Sequence, residues 1–199
     1  MDNAFTENAL ALVDGHVLIS DFETGETLLD KHNAINFENF ALAIAKLMGG
    51  VQSSGDSFQI TKMVFGNGGT VIDSTGAITY RTTKTDTASG GLYNETYTKI
   101  VDVTDANNTD VTLNNTEVVE FTGFPYSDIV VKATLDYSEP ASQETLDNNT
   151  SVAGDFAFDE IGLQTQSGIY LSHIIFHPIE KSANRKIQVI YTLRIRAGS

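Results

Sequence analysis

The sequence predicts a mainly β protein, an antiparallel β-sandwich of jelly-roll-like type with one α-helix near residues 36–48. Three observations carry this. Residues 186–196 alternate: Ile187, Val189, Tyr191, Leu193 and Ile195 share one face, while Gln188, Thr192, Arg194 and Arg196 share the other, with Ile190 the one exception. Period-two patterning of that length marks a strand with one buried face. Residues 156–163 and 169–176 are rich in β-branched and aromatic side chains and flank Ser167-Gly168, which is turn material. Finally, one helical stripe occurs, at residues 36–48.

Taken in order, residues 9–20 read as a strand, with a bulge or turn at Asp14-Gly15. Residues 23–26 form a turn, residues 27–29 a short return strand, and residues 30–35 a polar, irregular link. Asn36 suits a helix N-cap and Glu38 the first turn, with Phe37, Phe40, Ala41, Ile44, Leu47 and Met48 as the stripe expected to cover the sheet. Gly49-Gly50 ends the helix with residues that accept a left-handed conformation. Residues 51–57 are a small-residue loop and residues 58–65 a strand. Residues 70–117 are weakly patterned, with apolar islands at 71–72, 77–80, 92–93 and 97–103. Strand signals return at 116–121 and 129–137. No repeat and no linker divides the chain, so residues 1–199 are expected to form a single β-sandwich domain with long loops at about 82–91, 104–115 and 138–155.

Composition narrows the function classes. Hydrophobic residues make up 41% of the 199, enough for a core. No apolar run is long enough for a membrane helix, and the acidic start of the sequence lacks the basic, then apolar, pattern of a secretory signal. Cysteine is absent, which excludes disulfides, thiolate metal sites and a cysteine nucleophile. A net charge of −14 repels phosphate backbones and anionic lipid, so direct binding to nucleic acid or membrane is not expected.

The candidate motifs each resolve to structure. His173 and His177 are four apart, a spacing that shares a face on a helix but separates the rings by roughly 13 Å along a strand. His16 and His32 complete no recognisable metal spacing. Gly66-Asn67-Gly68-Gly69 lacks the Lys-Ser/Thr of a phosphate loop and reads as a tight turn whose glycines take positive φ. Asp102, Asp105, Asn107, Asn108 and Asp110 lack the order of a calcium loop, so a solvated loop outweighs a cation site. Asp159 and Glu160 are neighbours in a strand and should face opposite ways, which bars a shared acid/base role. No nucleophile elbow or triad spacing occurs. Lys181, Arg185, Lys186, Arg194 and Arg196 are too few for a nucleic-acid surface. No catalytic, cofactor-binding or metal-binding residue is nominated, and an enzyme is not expected.

Three stretches together form a pattern: His32-Asn33-Ala34-Ile35-Asn36 before the helix, Met63-Val64-Phe65-Gly66-Asn67-Gly68-Gly69-Thr70, and the block from Phe158-Asp159-Glu160-Ile161-Gly162-Leu163 through Leu171-Ser172-His173-Ile174-Ile175-Phe176 to Ile195. This order resembles small virion structural proteins of tailed bacteriophages and is similar to their tail-collar fibre proteins. The resemblance implies a protein made in the host cytoplasm and built into the virion at the neck, tail or baseplate, or as a head decoration. Its partners would be other virion proteins and copies of itself. The Thr- and Asn-rich middle departs from the collar-fibre pattern, which leaves the position in the particle open. Residues 1–8 and 82–91 are the expected contact segments. The alternative is a carbohydrate-binding β-sandwich for host-surface glycans, with Tyr93, Tyr97 and Tyr126 as the aromatic platforms least committed to the core.

Overall fold

The computed structural model describes residues 10–50, 58–86, 90–137, 139–140 and 157–198. The expected contact segment 1–8, the loop at 51–57 and nearly all of the loop at 138–155 lie outside these. Among the described residues, twelve strands and one helix follow in order: β1 Leu10–Asp21, β2 Thr27–His32, β3 Ala34–Ile35, α1 Phe37–Met48, β4 Ile60–Gly66, β5 Thr70–Ile72, β6 Ile78–Tyr80, β7 Glu95–Ile100, β8 Asn115–Glu120, β9 Tyr126–Leu135, β10 Ala157–Thr165, β11 Tyr170–Glu180 and β12 Ile187–Gly198. They make two five-stranded sheets, β2-β1-β12-β9-β8 and β3-β11-β10-β4-β7, and a small β5-β6 ribbon. All pairings are antiparallel and neither large sheet closes on itself, so the architecture is the expected β-sandwich.

The alternation at 187–195 explains why β12 sits in the middle of the first sheet. Ile187, Val189, Tyr191 and Leu193 are buried, while the residues between them face outward. β12 pairs with β1 from Ile187–Asp21 to Gly198–Leu10, and on its other side with β9. Inward side chains of this sheet meet Met63, Phe65, Phe158, Ile161, Leu163 and Ile174 of the second sheet in one apolar core. Phe65 stands at its centre, with its ring 5.1 Å from Phe158 and 6.4 Å from Tyr97. β4 does not alternate cleanly because both of its faces are covered. On the side away from the main core, Val64 packs with Leu92 and Tyr170.

Several local expectations change. Asp14-Gly15 is not a bulge: β1 pairs regularly with β12 there, and its register shift toward β2 falls at Ile19/Ser20. Gly15 is glycine because a Cβ would lie 1.6 Å from the Asn33 side-chain oxygen. Residues 30–35 are not an irregular link, since β2 runs to His32 and β3 follows at once. Edge-strand backbone pairing holds them extended although one face is polar, and residue pattern alone carries no mark of that.

The helix forms where expected, but rotated. Asn36 caps it, accepting from the Asn39 backbone N–H, and Gly50 takes the left-handed conformation after its end. Asn36 N–H also donates to the Leu171 carbonyl, and the Asn39 amide donates to that of Tyr170. These two bonds to β11 turn Asn39, Phe40 and Ala43 inward. Phe37 is left 65% exposed and Met48 85%, with Leu42 and Leu47 also exposed, so of the expected stripe only Phe40 and Ile44 face the core. Among the described residues, no helix is long and apolar enough to cross a membrane.

Candidate functional site

The densest polar chemistry lies where β10 meets the loop after β4. The β10–β11 register shifts between Phe158 and Glu160, and this brings both adjacent carboxylates to one loop instead of opposite faces. Gly68 N–H donates to Glu160, while Gly69 N–H, Thr70 N–H and Thr70 Oγ1 donate to Asp159 at 2.5–2.8 Å. Glu160, with no exposed surface, accepts further from the backbone N–H groups of Tyr93 and Asn94 at 2.8–3.0 Å. His173 Nε2 lies 3.0 Å from its second oxygen. The Lys84 N–H donates to Nδ1 of the same ring, which places the ring proton on Nε2, pointing at the carboxylate.

The pKa values of the two carboxyls shift in opposite directions. Burial pushes the Glu160 carboxyl up, but His173 and the N–H groups of Tyr93, Asn94 and Gly68 outweigh it, and its pKa falls below the ordinary value. Burial raises the Asp159 pKa, and the bonds from Thr70 and Gly69 only partly offset that. Every group in the cluster is buried and occupied: Glu160 by four donors, His173 on both nitrogens. The cluster therefore clamps the loop at 68–70, residues 93–94 and His173 of β11 onto β10.

The glycines here serve a different purpose from the one the sequence suggested. None of Gly66, Gly68 and Gly69 has positive φ. A Cβ on Gly66 would lie 2.4 Å from the Asn94 carbonyl oxygen and 2.7 Å from the Glu160 carboxylate, and one on Gly68 would lie 2.7 Å from Tyr93. Gly66 and Gly68 are glycines because the chain at 93–94 and the Glu160 side chain approach too closely for anything larger, and Gly69 because a Cβ would lie 2.8 Å from Ile175. Gly66→Ala should accordingly cost about 1–3 kcal/mol, read as a lower urea midpoint at unchanged m-value. Gly76→Ala is the contrast: its Cβ would meet nothing within 4 Å and its penalty is the positive φ alone.

The chain matches no protein-family model, no curated protein and no solved structure.

The remaining candidates separate clearly. His173 is buried in the clamp, whereas His177 is exposed beside the Tyr80 hydroxyl at 3.5 Å. Asp102, Asp105 and Asp110 each accept from the backbone two residues on, in self-contained turns between β7 and β8. Among the basic residues, Lys181 is buried and donates to the Asp136 carbonyl, Arg185 pairs with Asp21 at 2.9 Å, and Lys186 lies 4.4 Å over the Phe22 ring. Tyr93 lies within 4.7 Å of Arg81 and 4.4 Å of Lys84 and donates to the Thr82 carbonyl, so it braces the described part of the 82–91 loop. Tyr97 is half-buried, and burial together with Glu139 pushes its hydroxyl up to about 12. Tyr126 alone of the three belongs to an open aromatic cluster, with Phe121 at 4.7 Å, the exposed Phe124 at 5.6 Å and the Arg194 guanidinium 4.4 Å over its ring.

The sequence reading missed the outer face of the first sheet. There a shallow groove of about 380 Å³ runs across β2, β1, β12 and β9, lined by His32, His16, Asp14, Thr192, Arg194 and Asp128. Arg194 grips Asp128 with two bonds of 2.7 Å, and Arg196 pairs with Asp14 at 3.0 Å. His16 and His32, sixteen residues apart, are direct cross-strand partners. The signal was present: folding the chain back about Thr24 sets residue 16 against residue 32, once the return strand continues past Leu29.

Proposed function

We propose that this chain is a structural component of a tailed-bacteriophage virion, placed at the neck, tail or baseplate or as a head decoration, and that it works through protein–protein contacts. The observation that carries this reading is helix α1. Phe37, Leu42, Leu47 and Met48 face outward, so the helix presents more large apolar side chains to water than it buries. In a chain of net charge −14 such a face gains most from being covered by another protein. The buried carboxylate clamp supports the same view, because its polar groups are spent on rigidity.

The test is mass spectrometry of purified particles separated into heads and tails, made with the wild type and with the double variant Phe37→Glu, Met48→Glu. Wild-type chain should be found in one fraction, and the variant should be lost from it while its melting temperature is unchanged. Absence of the wild-type chain from both fractions would sink the proposal. The Tyr126 cluster favours a second reading, a sugar site, since an open aromatic surface beside a guanidinium–carboxylate pair suits a glycan. A glycan array on which binding disappears with Tyr126→Ala would support it.

A further inference from the structure

We propose that His16 and His32 form a chelating pair for a borderline divalent cation such as Ni²⁺, Cu²⁺ or Zn²⁺ on the outer face of the β1–β2 hairpin. The two residues oppose each other in the register, the arrangement that brings side chains closest across an antiparallel pair. Their ring centroids are 5.5 Å apart and the planes are inclined at 68°, so the rings are not stacked face to face. A tetrahedral cation about 2.0–2.1 Å from one nitrogen of each ring sets two imidazole centroids roughly 5 Å apart. The observed spacing is close to that value.

A second observation is independent of that spacing. Asp30, two residues before His32 on the same face of β2, lies 2.7 Å from His16 Nε2. A carboxylate bonded to one imidazole nitrogen fixes the ring and raises the basicity of the other, the arrangement found behind metal-bound histidines. The neighbouring cations do not oppose binding, because Arg194 is held by Asp128 and Arg196 by Asp14. Among the described residues, no group of three or more His, Asp or Glu side chains forms a metal cage. The pair would thus supply two ligands and water the rest, which suits imidazole-preferring cations over Mg²⁺ or Ca²⁺. Pinning β2 to β1 would stiffen the edge of the first sheet. This site stands apart from the assembly reading and neither requires the other.

Isothermal titration of the full chain with NiCl₂, CuCl₂, ZnCl₂ and MgCl₂ tests the proposal. One equivalent should bind with Cu²⁺ the tightest of the four, and Mg²⁺ should give no heat. His16→Asn and His32→Asn should each abolish binding, and Asp30→Asn should weaken it about 10–100-fold at unchanged stoichiometry. His177→Asn should leave it unaltered, and circular dichroism would show that each variant is folded. Saturating Ni²⁺ should raise the melting temperature of the wild type but of neither His16→Asn nor His32→Asn. Binding that survives both of those variants, that moves with His177, or that is absent from the folded wild type overturns the assignment.

Discussion

Glu160→Ala should lower folding stability by about 3–5 kcal/mol, the cost of breaking a buried charged network and stranding its partners. Four donors lose their acceptor at once: Gly68, Tyr93 and Asn94 through their backbone N–H groups, and His173 through Nε2. For a chain of this size the melting temperature should fall on the order of 10 °C. Glu160→Gln is the sharper probe, because it keeps shape and volume. Its amide nitrogen would oppose either the backbone donors or His173, whose proton the Lys84 N–H already confines to Nε2. Glutamine should therefore recover only part of the loss. A Gln variant as stable as wild type would show that the carboxylate's second oxygen contributes nothing.

The pH dependence follows in sign. Glu160 has a folded pKa below its ordinary 4.5, so its contribution is complete above that value and disappears as pH falls through the folded pKa. The stability gap between wild type and Glu160→Ala should thus be full at neutral pH and narrow below 4.5. Asp159 acts the other way. Its folded pKa is raised above 3.8, so its contribution is complete below 3.8 and is lost as pH rises through the folded value.

Phe65→Ala should cost a similar amount, about 3–5 kcal/mol, for a different reason. The ring has no exposed surface and fills the space between the sheets against Phe158 and Tyr97, so its removal leaves a cavity that neighbouring strands cannot close. Phe37→Ala deletes the same side chain from the exposed helix face and should change stability by about 0.5 kcal/mol or less. Chemical denaturation of the two variants side by side checks both. If the Phe37 variant were the more damaged, the helix face would be part of the core and would need no partner to cover it.

The sandwich was legible because alternation and helical spacing are local signals. β12 and α1 could each be found from about a dozen residues. What escaped was set by pairing. The rotation of α1 depends on two carbonyls of β11 more than a hundred residues away, so only part of its stripe, Phe40 and Ile44, meets the core. The Asp159–Glu160 clamp depends on a register shift, and period-two reasoning sends neighbouring side chains apart where that shift brings them together. The run Gly66-Asn67-Gly68-Gly69 was visible as unusual, yet turn chemistry and lack of room leave the same residue in the sequence. His16 and His32 needed only the hairpin register, and the polar character of residues 30–35 concealed it.

The place of β12 bears on how the molecule comes to be made. β1 and β9 each lean on a strand that follows nearly everything else in the chain, so a growing polypeptide carries two open sheet edges until β12 is supplied. Pairing β1 with β12 also closes a loop of almost the whole described chain, a non-local step that slows folding more than it weakens the product. The interval before β12 pairs is thus when a chaperone would have open edges to protect.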